Sequence, residues 1–297
     1  MMTGIIPLKK GENITSFFAV SKVRRIAGEK KAGHTGTLDP NATGVLPIAM
    51  GGATRFIELL PTHKKAYKAT FKTGMRTDTL DIWGTVTETF EKEVTFDEVL
   101  KAVEGFKGEI MQLPPMYSAL KKDGVRLYEL ARQGKEVERT PRKCEIYQLV
   151  AEESDNGEYS LYCECSAGTY IRTLIDDIGS VLGCGAVMTS LERTFACGVS
   201  IEECYTLEEL TALQETGEID KAVIPVERLL ECYPKVTVTD NQAVRFKNGG
   251  DLMVQRVRGL KDFGLYRVYG LNQFLGLGEF VENSESFKVK RIYNDGR

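Results

Sequence analysis

The chain lacks most of the residues from which metal, redox and membrane functions are built. Its 297 residues include two histidines, one tryptophan and no Cys-x-x-Cys pair. Without a second cluster of imidazoles or thiolates a metal site has no ligand set, so no metal is expected. No apolar run approaches the roughly 20 residues that cross a bilayer, and the opening "MMTGIIPLKK" has no secretory apolar core, so no membrane partner is expected. No Gly-rich loop ends in Gly-Lys-Ser or Gly-Lys-Thr, which excludes a P-loop. The seven cysteines are odd in number and show no paired framework, as suits a reducing cytoplasm, the compartment expected here. Cys163 and Cys165 alternate with Tyr162 and Glu164, the spacing of two core residues on one strand face.

What is present is an ordinary globular composition, 42% hydrophobic and 27% charged, long enough for one large domain or two smaller ones. A net charge of −3 does not by itself suggest a polyanionic partner. Its distribution does. Residues 1–80 contain thirteen Lys/Arg against five Asp/Glu, so a basic segment is set on an acidic remainder. Such a segment is a candidate phosphate-facing surface.

Periodicity marks the elements. In "TSFFAVSKVRRIAG" the residues Phe17, Val20, Val23 and Ile26 recur at helical spacing, with Ser16 available to cap and Gly28 to stop. Lys64 to Phe90 has the β-branched and aromatic content of strands, broken at Gly74 and Gly84. "TFDEVLKAVEG" predicts a short amphipathic helix ending near Gly105, and Pro114 to Lys143 an excursion carrying a helix, "VRLYELARQG", on an extended arm. "GTYIRTLIDDIGSVLG" is the clearest helix: Ile171, Leu174, Ile175, Ile178 and Leu182 form one stripe, Thr169 can cap and Gly183 can terminate. Beyond Tyr233-Pro234 short strands separated by glycine turns predict a small all-β unit.

One stretch carries chemistry. In "GHTGTLDPNATG" three glycines, Gly33, Gly36 and Gly44, and one proline, Pro40, surround a lone carboxylate, Asp39, five residues after His34. Proline pushes the residue before it toward an extended conformation. With no acidic cluster nearby, the setting suits a nucleophile or general base. Arg172 lies in the first turn of its helix, where the dipole disfavours a cation unless an anion compensates. An Asp39–Arg172 pair would orient the carboxylate and balance its charge. Tyr67, within the basic run Lys64, Lys65 and Lys68, has the surroundings of a base-stacking ring, and Tyr170 is a second aromatic candidate. Leu191 reads as a core residue.

"GHTGTLDPNATGVLPIAMGGATR" resembles the catalytic signature of the TruB-type tRNA pseudouridine synthases. Further motifs follow in that family's order: "KAYKATFKTGMRTDTLD", the segment Pro114 to Lys143, "SAGTYIRTLIDDIG" and "LERT". The resemblance covers roughly residues 1–232, and the β-rich tail resembles the PUA-type RNA-binding domain of bacterial members. It implies an α+β fold: a catalytic domain (1–232) on a mixed, mainly antiparallel sheet, with a thumb arm at 114–143 and a PUA-like domain at 233–297. It implies isomerisation of uridine to pseudouridine at position 55 in the tRNA T loop, with no cofactor and no metal. By matching position, Asp39 is the catalytic aspartate, Arg172 its partner and Tyr67 the ring that stacks on the target base and accepts the C5 proton. His34, Tyr170 and Leu191 match contacts to the flipped nucleotide. The partner is the tRNA T stem-loop, and a monomer is expected.

The chain departs from the family pattern at three places. "PLKKGENITS" lacks the usual proline of the first motif, Ala167 replaces a frequent lysine, and Glu192 stands where a basic residue is usual, beside a leucine expected to touch RNA. Two other functions stay compatible with these residues: a tRNA-binding or folding protein without turnover, and a small-molecule phosphate binder using Gly33 to Gly44.

Overall fold

The structure, a computed structural model, describes residues 2–61, 63–154 and 157–294. It begins with β1 (Gly4–Lys10), α1 (Ser16–Ile26), β2 (Ala32–His34) and β3 (Thr43–Met50). A nine-residue 3-10 helix, Gly51–Leu59, leads to β4 (Lys64–Thr73), β5 (Met75–Thr77) and β6 (Val86–Thr89). Then come α2 (Phe96–Glu104) and β7 (Gly108–Gln112). Between Pro114 and Lys143 the chain makes a small hairpin, β8 (Lys121–Lys122) with β9 (Val125–Arg126), and the helix α3 (Leu127–Arg132). β10 (Arg142–Glu153), β11 (Tyr159–Ser166), α4 (Ile171–Leu182), β12 (Ala186–Ala196) and β13 (Val199–Ser200) follow.

These strands form one mixed sheet in the order β1-β3-β12-β4-β11-β10-β7, with β2 on β3 and β13 on β12. Among the described residues its one parallel pairing joins β3 to β12, at Thr43–Glu192 and Gly44–Arg193; the others are antiparallel. The mixed, mainly antiparallel sheet expected from sequence is present. The register of the central β4 sets Tyr67 opposite Cys163 on β11 and Arg193 on β12. Side chains alternate along β11, so Cys163 and Cys165 both enter the core, packed with Leu174, Ile175 and Ile178 of α4. A second core holds Ile6 and Leu8 of β1, Val20 and Val23 of α1, and Leu210 of α5 (Leu207–Glu215).

Three local expectations are corrected. Ser16 does not cap α1; Thr15 does, its side chain accepting from the Phe18 N–H. Phe17 is 79% exposed, because the buried face of α1 is Ser16, Ala19, Val20 and Val23. Thr169 does not cap α4: its hydroxyl donates to the Ser166 carbonyl at 3.0 Å, and Tyr170 occupies the cap position without a side-chain bond. Gly183 ends α4 as expected, in the left-handed conformation at φ 69°.

After α6 (Val226–Leu229) the chain forms β14 (Lys235–Thr237), α7 (Asp240–Lys247), β15 (Leu252–Met253), β16 (Gly264–Gly270), β17 (Gln273–Phe280) and β18 (Ser286–Ile292). These five strands make a second sheet in the order β14-β16-β17-β18-β15, around a core of its own that includes Val268, Phe246 and Phe287. Its Phe274 and Leu277 belong to a different cluster, shared with Ala53, Phe56 and Leu60 beside the first sheet.

Candidate active site

The loop between β2 and β3 is pinned on both sides of Asp39. The Ser16 hydroxyl accepts from the Leu38 N–H at 2.9 Å and donates to the Leu38 carbonyl at 3.0 Å. On the other side Lys10, fully buried, donates from Nζ to the Pro40 carbonyl at 2.9 Å, and also to those of Gly11 and Ile14. A short β1 and the first turn of α1 thus hold Leu38 and Pro40, and Asp39 is presented between them. In the sequence Ser16 stands out only as a candidate helix cap and Lys10 not at all. A lysine at the end of a strand and a serine at a helix start carry no local sign of a contact 22 or 30 residues away.

Arg172 reaches Asp39 from the far side. Its Nη2 lies 3.0 Å from Asp39 Oδ2, the arginine side chain 6% exposed and the aspartate 45%. The guanidinium also donates to the Thr79 carbonyl from Nη1 and the Tyr117 carbonyl from Nη2, each at 2.8 Å, and lies 3.9 Å from Asp81. One planar group thereby ties α4 to three separate stretches of chain, its donors held in a fixed fork that a lysine's single ammonium lacks. Arg172 lies outside the Ile171, Leu174, Ile175, Ile178 and Leu182 stripe, yet it is buried under loops rather than displayed on a surface. Asp81 is a site residue that sequence reasoning missed. Burial pushes its carboxyl upward, opposed by the Thr79 hydroxyl and the Arg172 charge.

Asp39, Tyr67, Tyr170, Arg172 and Leu191 line one cavity of about 260 Å³. His34 is set apart from it, lining an adjoining cavity of about 640 Å³ that Asp39 and Arg172 also face. Tyr67 is buried, and burial pushes its hydroxyl up to about 12, opposed by the Arg193 charge. Arg193, also buried, donates to the Val45 carbonyl at 2.8 Å and the Gly36 carbonyl at 3.1 Å, so it holds the far end of the His34–Asp39 loop. Burial, reinforced by Arg193, holds His34 below its ordinary value. Its Nδ1 accepts from the Gly36 N–H at 3.3 Å, which leaves Nε2 to carry the proton of the neutral ring. Tyr170 is set by Gln112, whose amide brackets it: the Tyr170 N–H donates to Oε1 at 2.9 Å and Nε2 donates to the Tyr170 carbonyl at 3.2 Å.

The lysines around Tyr67 separate by alternation. Lys65 lines the Asp39 cavity, its amine pushed down by burial and by Arg193, while Lys64 pairs with Glu164. Glu192 lies on the opposite side of β12 from Leu191 and pairs with Lys9 at 3.6 Å. The glycines differ in purpose. A Cβ on Gly33 would meet Ile57 at 2.9 Å, a packing constraint, whereas one on Gly36 would make only ordinary contacts. No cluster of three or more metal-ligating side chains occurs among the described residues.

The same architecture occurs in solved structures. A Cbf5-Nop10-Gar1 complex contains a chain that superposes with a TM-score of 0.77 at 28% identity, covering 99% of this chain and 85% of that one. A structure of an H/ACA RNP bound to a substrate RNA containing 2′-deoxyuridine gives 0.75 at 27% identity, covering 98% and 85%. Family models match in succession: "TruB family pseudouridylate synthase (N terminal domain)" over residues 24–171, "tRNA pseudouridylate synthase B C-terminal domain" over 172–231, and "Pseudouridine synthase II TruB, C-terminal" over 234–292. A tRNA pseudouridine synthase B of Clostridium perfringens is 44% identical over 298 residues, covering 98% of this chain and 99% of that protein. One from Vibrio cholerae is 40% identical over 293 residues, covering 95% and 93%. Fold and sequence together make this an enzyme of the pseudouridylate synthase class, an isomerase. Within that class the chain belongs to the TruB family.

Proposed function

We propose that this chain converts uridine to pseudouridine at position 55 in the T loop of tRNA, with Asp39 as nucleophile. The observation that carries the reading is the 3.0 Å Arg172–Asp39 pair at the edge of a cavity lined by Tyr67, Tyr170 and Leu191. A uridine in a folded loop is out of reach until it is extruded, at a cost of a few kcal/mol. The extruded base stacks on Tyr67, against Leu191 and Tyr170, and His34 fills part of the space it leaves. The carboxylate of Asp39, aimed by Arg172, attacks the nucleoside; the N1–C1′ bond breaks and the freed uracil turns, and as C5 bonds to C1′ the bond to Asp39 breaks and releases the carboxylate. The C5 proton is then lost and N1 ends protonated, so the isomerisation is balanced without net proton uptake. With its hydroxyl raised to about 12, Tyr67 stays a neutral phenol at neutral pH and takes the C5 proton only as a relay that passes its own proton on. Residues 1–232 form the catalytic unit, 114–143 close over the RNA as a thumb, and 233–297 act as a PUA-type RNA-binding unit. The enzyme works as a cytoplasmic monomer.

Asp39→Asn tests the assignment, because the amide keeps the shape and cannot act as a nucleophile. Tritium release from tRNA labelled at uridine C5 is expected to fall at least roughly a thousandfold, with tRNA binding nearly unchanged. Retention of more than a few per cent of the wild-type rate overturns the nucleophile.

A further inference from the structure

Trp83 is the sole tryptophan of the chain, 50% exposed, and the isomerisation above gives it no task. It sits between β5 and β6, two residues beyond Asp81, in a loop built to stay put. Its main-chain N–H donates to Asp81 Oδ1 at 3.2 Å, the Ile82 N–H to the Met188 carbonyl at 2.9 Å, and the Gly84 N–H to the Asp81 carbonyl at 3.2 Å. A large aromatic held half open on a braced loop forgoes the burial that usually stabilises such rings.

The ring lines the 640 Å³ cavity beside Asp39 and Arg172, a volume typical of ligand sites. Phe17, an exposed aromatic of α1, lines it too. The hairpin and α3 contribute Lys121, Arg126, Arg132 and Tyr128, the two guanidiniums lying 5.8 and 5.5 Å from the tyrosine ring. The lining carboxylates, Asp39 and Asp81, are both faced by Arg172. The cavity therefore offers open aromatic faces beside an excess of positive charge. That combination fits single-stranded nucleic acid, whose bases stack on rings while phosphates meet cations. An apolar peptide would have no use for the cations, and a free phosphate none for the rings.

We infer that Trp83 is a stacking platform for an RNA base adjoining the target uridine, and so a substrate-binding residue of this chain. The inference rests on the RNA-modifying reading above. Because Trp83 is the only tryptophan, its fluorescence reports on this cavity alone. Titration of the full chain with a tRNA T stem-loop oligonucleotide is expected to quench that emission in step with binding. Trp83→Ala is expected to raise KM about tenfold with kcat changed less than about twofold, and Trp83→Phe, which keeps a ring, to recover most of the loss. Oligonucleotide that is turned over without quenching, or an unchanged KM in a folded Trp83→Ala, overturns the platform and leaves the isomerase reading intact. A fall in kcat at constant KM also overturns it, since Trp83 would then act through Asp81 and Arg172. Quenching without wild-type turnover sinks the isomerase reading and leaves the platform standing.

Discussion

Lys10 shows how one buried side chain sets the site. Three carbonyls, those of Gly11, Ile14 and Pro40, use all three N–H bonds of its ammonium. Burial, partly offset by the Asp39 charge, pushes it down to about 8. Once neutral it is one donor short, and the Pro40 anchor beside Asp39 loosens. The turnover rate is therefore expected to fall as pH rises through about 8, and Lys10→Met to be slower throughout and to lack that limb. Stability moves the other way. The folded chain releases this proton near 8 while the unfolded chain keeps it to about 10.5, so the native state gains stability as pH rises through that window. Rates and melting temperatures of both proteins between pH 7 and 10 check this; a wild-type rate flat across pH 8 would remove Lys10 from the account. Nothing in "PLKKGENITS" separates Lys10 from its exposed neighbour Lys9, apart from the alternation that turns one inward.

Pairing between elements decides what the glycines of the Asp39 loop are for. Gly44 has φ +100°, and a Cβ there would meet the Arg193 carbonyl oxygen at 2.2 Å and nitrogen at 2.8 Å. It lies where β3 runs parallel to β12, the seam that sets the Asp39 loop against Leu191 and Arg193. Gly44→Ala carries both backbone strain and a backbone clash, and is expected to destabilise the protein by about 2 kcal/mol or more. The urea midpoint should fall at constant m, with kcat lower as the loop shifts. A wild-type midpoint would show that the seam yields. The glycine-rich character of the loop was legible in the sequence, and so was a constrained aspartate. Which glycine is open and which admits a strand was not, because that depends on a pairing partner about 150 residues away. Glu192 carries the same lesson. Its neighbour Leu191 enters the cavity, and the period of two sends Glu192 to Lys9 instead.

For the whole molecule, charge and composition were coarser guides than contact. The basic excess of residues 1–80 is partly spent within the fold: Lys10 is buried, and Lys9, Lys64, Lys72 and Arg76 form ion pairs. Lys22, Arg24 and Arg25 on α1 remain exposed and can meet phosphate. The shift in composition at Tyr233 suggests a removable tail, yet Phe274 and Leu277 pack with Phe56 and Leu60, and the Tyr233 hydroxyl donates to the Leu59 carbonyl at 2.8 Å. Each large apolar side chain returned to water costs about 1.5–3 kcal/mol. Deleting residues 233–297 is therefore expected to lower the melting temperature markedly as well as to weaken tRNA binding, leaving chemistry measurable only where the remainder stays folded. Calorimetry and tritium release on the truncated chain check both. A truncation that melts like the full chain would show that the shared cluster contributes nothing.

The sequence by itself determined the elements and singled out one carboxylate. Hydrophobic period marks α4 and its stop at Gly183, β-branched runs mark the strands, and an isolated Asp-Pro among glycines marks Asp39; these signals are local in the chain and survive without a partner. Tertiary structure decided the rest. It closed the Arg172–Asp39 pair that the sequence suggested to 3.0 Å, made Ser16 and Lys10 into anchors, put Asp81 on the far side of the guanidinium, and set His34 and Trp83 on a second cavity. Each of those contacts joins segments distant in sequence, and only the closing of the sheet fixes which buried donor faces which acceptor.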